Sequence, residues 1–151
     1  MTWISRLSTV ILILALAAAL VVPQLAASPD EKPGLFVNLT TDDTWSAAMA
    51  VHFAHDKVLK QGHTPVTVFL NVRGIYHAHR ERPSHSHGLV GQSIQEMLAA
   101  FIADGGQVLA CPTCLKAAGM QAEDLLAGVR LASTAQMETA LFGPDVRTLT
   151  W

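Results

Sequence analysis

Beyond residue 33 the chain alternates short apolar runs of strand length with longer stretches of helical periodicity. Leu35-Phe36-Val37-Asn38-Leu39, Val66-Thr67-Val68-Phe69-Leu70 and Gln107-Val108-Leu109-Ala110 read as three buried strands. Between the first two, Thr41, Asp42 and Asp43 offer an N-cap and first-turn negative charge for a helix over 44–60 that stops at Gly62. Between the second and third, Ser93-x-x-Glu96 is a capping box. Ile94, Met97, Leu98, Phe101 and Ile102 then recur on one helical face until Gly105-Gly106. After the third strand the pattern predicts a short helix to Gly119, a second from Ala122 to Ala127, and a strand from Val129 to Ala132. A helix opened by Ser133-x-x-Gln136 and closed by Gly143-Pro144 follows, and the chain ends in a fifth strand, Val146 to Trp151.

Strands alternating with helices place the chain in the α/β class, with a mostly parallel five-stranded sheet covered on both faces and joined by right-handed crossovers. Ligands of such sheets bind at the carboxyl ends of the strands. The Asp42-Asp43 turn, a histidine-rich segment read as a loop from His77 to His87, and Cys111 all follow a strand. Parallel topology would gather them on one edge.

The N-terminal pattern differs. Residues 1–27 carry Arg6, an uncharged apolar run from Leu7 to Val22, then Pro23 and small residues ending at Ala26-Ala27, the layout of a secretory signal. The run is shorter than the ~20 residues of a comfortable membrane span, but Trp3 and Ile4 extend it, so an uncleaved anchor is the alternative. Residues 28–33 read as a linker and 34–151 as a single domain. Either reading of the leader predicts an exported protein, periplasmic or anchored facing the periplasm, with the membrane a partner only through this segment. No cysteine stands directly after the run to accept a lipid.

A formal charge of −2 and a pI near 6.4 give no electrostatic basis for nucleic-acid binding. Both cysteines of the chain lie in Cys111-Pro112-Thr113-Cys114, so no disulfide ties distant loops together. Cys111 falls at the N-cap of a short helix, Pro112 at its first position and Cys114 one turn along. That placement favours a thiolate at Cys111 and lets Cys114 resolve an adduct or close a disulfide. His77, His79, His85 and His87 concentrate imidazole donors that could hold zinc or copper, with or without the cysteines. A solvated surface loop without fixed ligand geometry is the other reading. Arg73, after the second strand, is a candidate to hold an anion.

The stretch from Gly105-Gly106-Gln107 through Cys111-Pro112-Thr113-Cys114 to Ala118-Gly119, with Gln92-Ser93-Ile94-Gln95-Glu96-Met97-Leu98 before it, resembles the DsrE/DsrF-like family, including YchN-like proteins. The resemblance spans about Leu35 to Trp151, and Ala118 stands where the family's C-x-x-C-x-x-x-R-G pattern has arginine. It implies a three-layer α/β/α fold, assembly as a homo-trimer or hexamer, and a persulfide carried on Cys111. The expected function is therefore sulfur handling without a required cofactor, in exchange with a sulfur donor or acceptor protein or a small sulfane-sulfur compound. The alternatives are a thiol–disulfide redox protein or sensor and a histidine-loop metal binder.

Overall fold

The computed structural model describes residues 32–88 and 90–151. The leader or anchor expected over residues 1–27, and most of the expected linker, lie outside the described residues. The five strands are β1 (Gly34–Leu39), β2 (Val66–Leu70), β3 (Gln107–Ala110), β4 (Arg130–Leu131) and β5 (Val146–Thr150), ordered β4-β3-β2-β1-β5 and all parallel. Around them run α1 (Thr44–His52), α2 (Ile94–Ala103), α3 (Pro112–Ala117) and α4 (Thr134–Phe142).

Strand parity divides the interior in two. Leu35, Val37 and Leu39, with Val66, Val68, Leu70, Val108 and Ala110, face the larger core, where they meet Ala47, Ala48 and Val51 of α1 and Met97, Leu98 and Phe101 of α2. The intervening Phe36, Phe69 and Leu109 face the opposite side and are covered by Ala140 of α4. Each fully buried side chain of this size contributes roughly 1.5–3 kcal/mol. Connection handedness explains the unequal layers. The steps β1→β2→β3→β4 all move one way across the sheet, whereas β4→β5 returns in the other direction, so right-handedness sends α4 to the opposite face.

The first predicted helix is present but winds unevenly, passing from α1 into a π-helical turn (Phe53–Val58) and a 3-10 turn (Leu59–Gln61) before Gly62 ends it at φ 84°. Ser93 and Glu96 form the expected capping box on α2, and Ser133 and Gln136 form one on α4. Three expectations change. The helix expected from Ala122 is a single 3-10 turn (Ala122–Asp124), because Leu125 turns extended and its backbone bridges His79. The fourth strand shrinks to Arg130–Leu131. The segment read as a loop from His77 begins inside a 3-10 helix, Val72–Ala78, with Ile75 and Ala78 buried.

Candidate functional site

Cys111 continues the parity of β3. Two residues beyond Leu109, it packs against the Phe36–Phe69–Leu109 cluster on the α4 side. There the backbone leaves the sheet, Cys111 becomes the N-cap of α3, and Pro112 takes the first helical position, where a missing N–H costs nothing. Cys111 Sγ accepts the Cys114 amide N–H at 3.2 Å, which favours the sulfur as an anion. Cys114 lies one turn along and packs against the larger core on the other side. The Cα atoms are 5.2 Å apart and the sulfurs are at disulfide distance.

The position in the sheet matters as much as the turn. Neighbouring strands β3 and β4 send their outgoing connections to opposite faces, Leu115 of α3 into the larger core and α4 onto the other side. A crevice opens at such a switch point, outside the carboxyl ends of the strands. The cysteine pair sits there.

The turn after β2 supplies the other wall. Asn71 Oδ1 accepts the Val72 amide at 2.9 Å and lies 3.2 Å from Cys114 Sγ, within reach of a donating thiol. Asn71 Nδ2 donates to Asn38 Oδ1 at 3.3 Å, tying the turn to β1. The Val72 amide also points at Cys114 Sγ, 3.3 Å away. Val72 itself adopts φ 48°, a left-handed conformation costing a β-branched residue of order 1–3 kcal/mol, which turns the chain after this amide into the 3-10 helix and leaves the residue 57% exposed.

Val72, Arg73, Ile75, Tyr76, Cys114, Ala117 and Ala118 enclose a groove of about 250 Å³. A larger hollow of about 320 Å³ lies between α4 and the amino ends of β2 and β3, but its lining includes no cysteine, histidine or charged side chain, whereas the smaller groove is lined by Cys114 and Arg73. Arg73, the candidate anion holder, already holds a carboxylate. Its Nε and Nη2 donate to the two oxygens of Asp42 at 2.9 and 2.5 Å. Those hydrogen bonds lower the Asp42 pKa to about 2 against the opposing cost of burial. Arg82 approaches the same carboxylate at 3.7 Å, and the guanidinium carbons of Arg73 and Arg82 lie 5.6 and 5.1 Å from the Tyr76 ring centre. Asp43, not Asp42, caps α1 by accepting the Ser46 amide at 2.8 Å.

The four histidines sit in different surroundings. His77 is 5% exposed, and burial lowers its pKa. His79 Nδ1 accepts the Glu81 amide at 3.1 Å, and its backbone bridges Leu125. His85 is exposed, whereas His87 is buried with its ring centre 4.4 Å from that of Trp45. Among the described residues no group of three or more His, Cys, Asp or Glu comes together to hold a metal. His52 and His55 instead meet Asp56 at 2.8 Å and Asp104 at 2.7 Å. Asn71, Val72 and Tyr76 escaped sequence reasoning. An asparagine closing a strand and a valine after it carry no local signature of a left-handed turn packed beside a sulfur.

A model of the DsrE/DsrF-like family matches residues 35–143. No curated protein matches the chain. Among solved structures, the ychN protein from E. coli is 20% identical, with a TM-score of 0.64 over 80% of this chain and 99% of that one. The MTH1491 protein of unknown function from Methanobacterium thermoautotrophicum is 16% identical, with a TM-score of 0.62 over 78% of this chain and 100% of its own. The BT1422 protein of unknown function from Bacteroides thetaiotaomicron is 15% identical, with a TM-score of 0.53 over 78% of this chain and 95% of its own. These likenesses establish the fold.

Proposed function

Starting from the fact that the chain belongs to the DsrE/DsrF-like family, we propose that it handles sulfur through Cys111 and Cys114, with Cys111 as the persulfide carrier. The observation that carries this reading is the Cys111 sulfur at a strand-to-helix turn, accepting the Cys114 amide N–H at the switch point of the sheet. As a thiolate it attacks the outer sulfur of a sulfane donor. The donor's S–S bond breaks, its electron pair leaves with the donor thiolate, and Cys111 becomes a persulfide. The sulfur then passes to an acceptor thiol. Alternatively, Cys114 thiolate attacks the inner sulfur, expelling hydrosulfide and closing the Cys111–Cys114 disulfide, so that two thiols are oxidised as one sulfane sulfur is reduced. The leader-like pattern of residues 1–27 supports an exported setting, and the family supports a homo-oligomer. Reduced protein treated with polysulfide should gain about 32 Da on Cys111. The gain should vanish in Cys111→Ser and persist in Cys114→Ser, and an unmodified wild-type mass would refute the reading.

The sulfurs at disulfide distance favour a second reading, a thiol–disulfide redox protein. Its reduction potential decides the matter. A value below about −300 mV, beyond exchange with ordinary thiol pools, would remove it.

A further inference from the structure

The groove beside the pair is lined by Cys114 and not by Cys111. Resting on the reading that this pair works by sulfur exchange, we propose that the groove admits a low-molecular-weight organic thiolate or persulfide anion. That anion attacks Cys114 Sγ of the oxidised pair and expels Cys111 as the leaving thiolate. The two cysteines thereby have separate tasks: Cys114 receives the small molecule, and Cys111 is the sulfur set free.

The groove's size selects the occupant. At about 250 Å³ it falls just under the roughly 300–1,000 Å³ of pockets that take drug-sized ligands, leaving room for an organosulfur compound of a few heavy atoms but not for a folded loop. Ile75, Ala117 and Ala118 give its body an apolar wall, and Tyr76 and Arg73 give it a polar one.

Exchange at sulfur requires the entering atom, the attacked atom and the leaving atom to lie near one line. Cys114 faces the groove and packs with the larger core, while Cys111 packs with the smaller cluster beyond the sheet. An anion in the groove therefore reaches Cys114 Sγ without passing Cys111, which lines no part of it. One S–S bond forms to Cys114 and one breaks, the electron pair passes to Cys111 Sγ, and no proton moves. The entering sulfur is oxidised as Cys111 is reduced.

The polar groups favour this direction. The leaving sulfur already accepts the Cys114 amide at 3.2 Å, and a stabilised thiolate departs faster. The attacked sulfur has the Val72 amide 3.3 Å away, an N–H it shares with Asn71 Oδ1 at 2.9 Å, in place to stabilise charge spread over the reacting sulfurs.

The test is to mix oxidised full-length chain with excess 2-mercaptoethanol, quench early with N-ethylmaleimide and map the adducts by peptide mass spectrometry. The mixed disulfide should be on Cys114 and the maleimide on Cys111. The reverse assignment, or no mixed disulfide at all, overturns the proposal. Ala117→Phe, at an exposed groove-lining position, should slow reduction by 2-mercaptoethanol about tenfold while sparing reduction by hydrosulfide. Unchanged rates with both reductants, or equal slowing of both, count against the groove. Polysulfide loading of the reduced chain is measured separately. Attack at Cys114 without loading would remove the persulfide reading and leave the groove assigned, whereas loading with the reverse regiochemistry would remove only the groove.

Discussion

Replacing Gly74 with alanine should destabilise the domain and loosen the site together. Gly74 lies where the turn after β2 presses on the carboxyl end of β1, its amide donating to the carbonyls of Asn71 at 2.8 Å and Thr40 at 3.2 Å. An alanine Cβ there would stand 2.1 Å from the Leu39 carbonyl oxygen and 2.9 Å from its carbon. Carbon–oxygen contacts settle near ~3.3 Å, so the turn must retreat by about 1.2 Å. The carbonyl has little room to yield, because it accepts the Asn71 amide at 2.9 Å. Overpacking of this kind costs roughly 1–3 kcal/mol. For the unit from Lys32 to Trp151, at about 2.1 cal/mol/K per residue, that is a fall in Tm of roughly 4–12 °C. Gly88→Ala is the control: open space surrounds its Cβ, and its effect should stay within about 0.5 kcal/mol. Retreat of the turn also moves Arg73, Tyr76 and the Val72 amide, so the thiol reaction at Cys114 should slow in the same variant. Thermal and urea unfolding measure the first effect and thiol kinetics the second. A Gly74→Ala midpoint within about 2 °C of both wild type and Gly88→Ala would refute the close-approach argument.

Ser93→Ala removes the side chain that accepts the Glu96 amide at 3.2 Å, and should cost about 1 kcal/mol by urea unfolding. No loss would mean that α2 is held by its apolar face alone. The buried His77 imidazole has a lowered pKa, chiefly through loss of hydration. The unfolded chain takes up that proton near pH 6.5, before the folded one does. Stability is therefore full above about pH 6.5 and falls as the pH drops through that value toward the folded pKa, by at most about 1.4 kcal/mol per pH unit. His77→Gln should flatten this part of the Tm profile, and a profile parallel to wild type would show that the group does not titrate on unfolding.

Elements whose signals are local were legible in the chain itself. Ser93 with Glu96, Ser133 with Gln136, and the runs at Leu35, Val66 and Gln107 carry their caps and burial patterns within a few residues, and the structure keeps them. Cys111 at an N-cap followed by Pro112 was equally legible, because the motif and the strand end coincide. Polar residues were misread where long-range contacts govern them. The 77–87 stretch has the composition of a solvated loop. Ile75 and Ala78 nevertheless draw its start into the core, the backbone of residues 78–80 pairs with that of 124–126, and His77 is buried with them. Arg73 looked available for an anion because Asp42, 31 positions earlier, could not be seen beside it.

The division of labour between the cysteines follows from the same nonlocal geometry. Residues three apart in a helical turn share one helical face, so spacing alone gives Cys111 and Cys114 a common environment. The sheet separates them. Cys111 inherits the parity of β3 and stays with the side that the returning β4→β5 crossover covers, whereas α3 carries Cys114 toward the turn after β2. That turn, bent at Val72 and pressed in at Gly74, provides the amide at the second sulfur and one wall of its groove. Two chemically identical thiols thus become distinguishable because one ends a strand and the other faces a neighbouring strand's exit. A substitution that displaces the turn should alter Cys114 first, leaving the amide contact at Cys111, made entirely within α3 and its cap, in place.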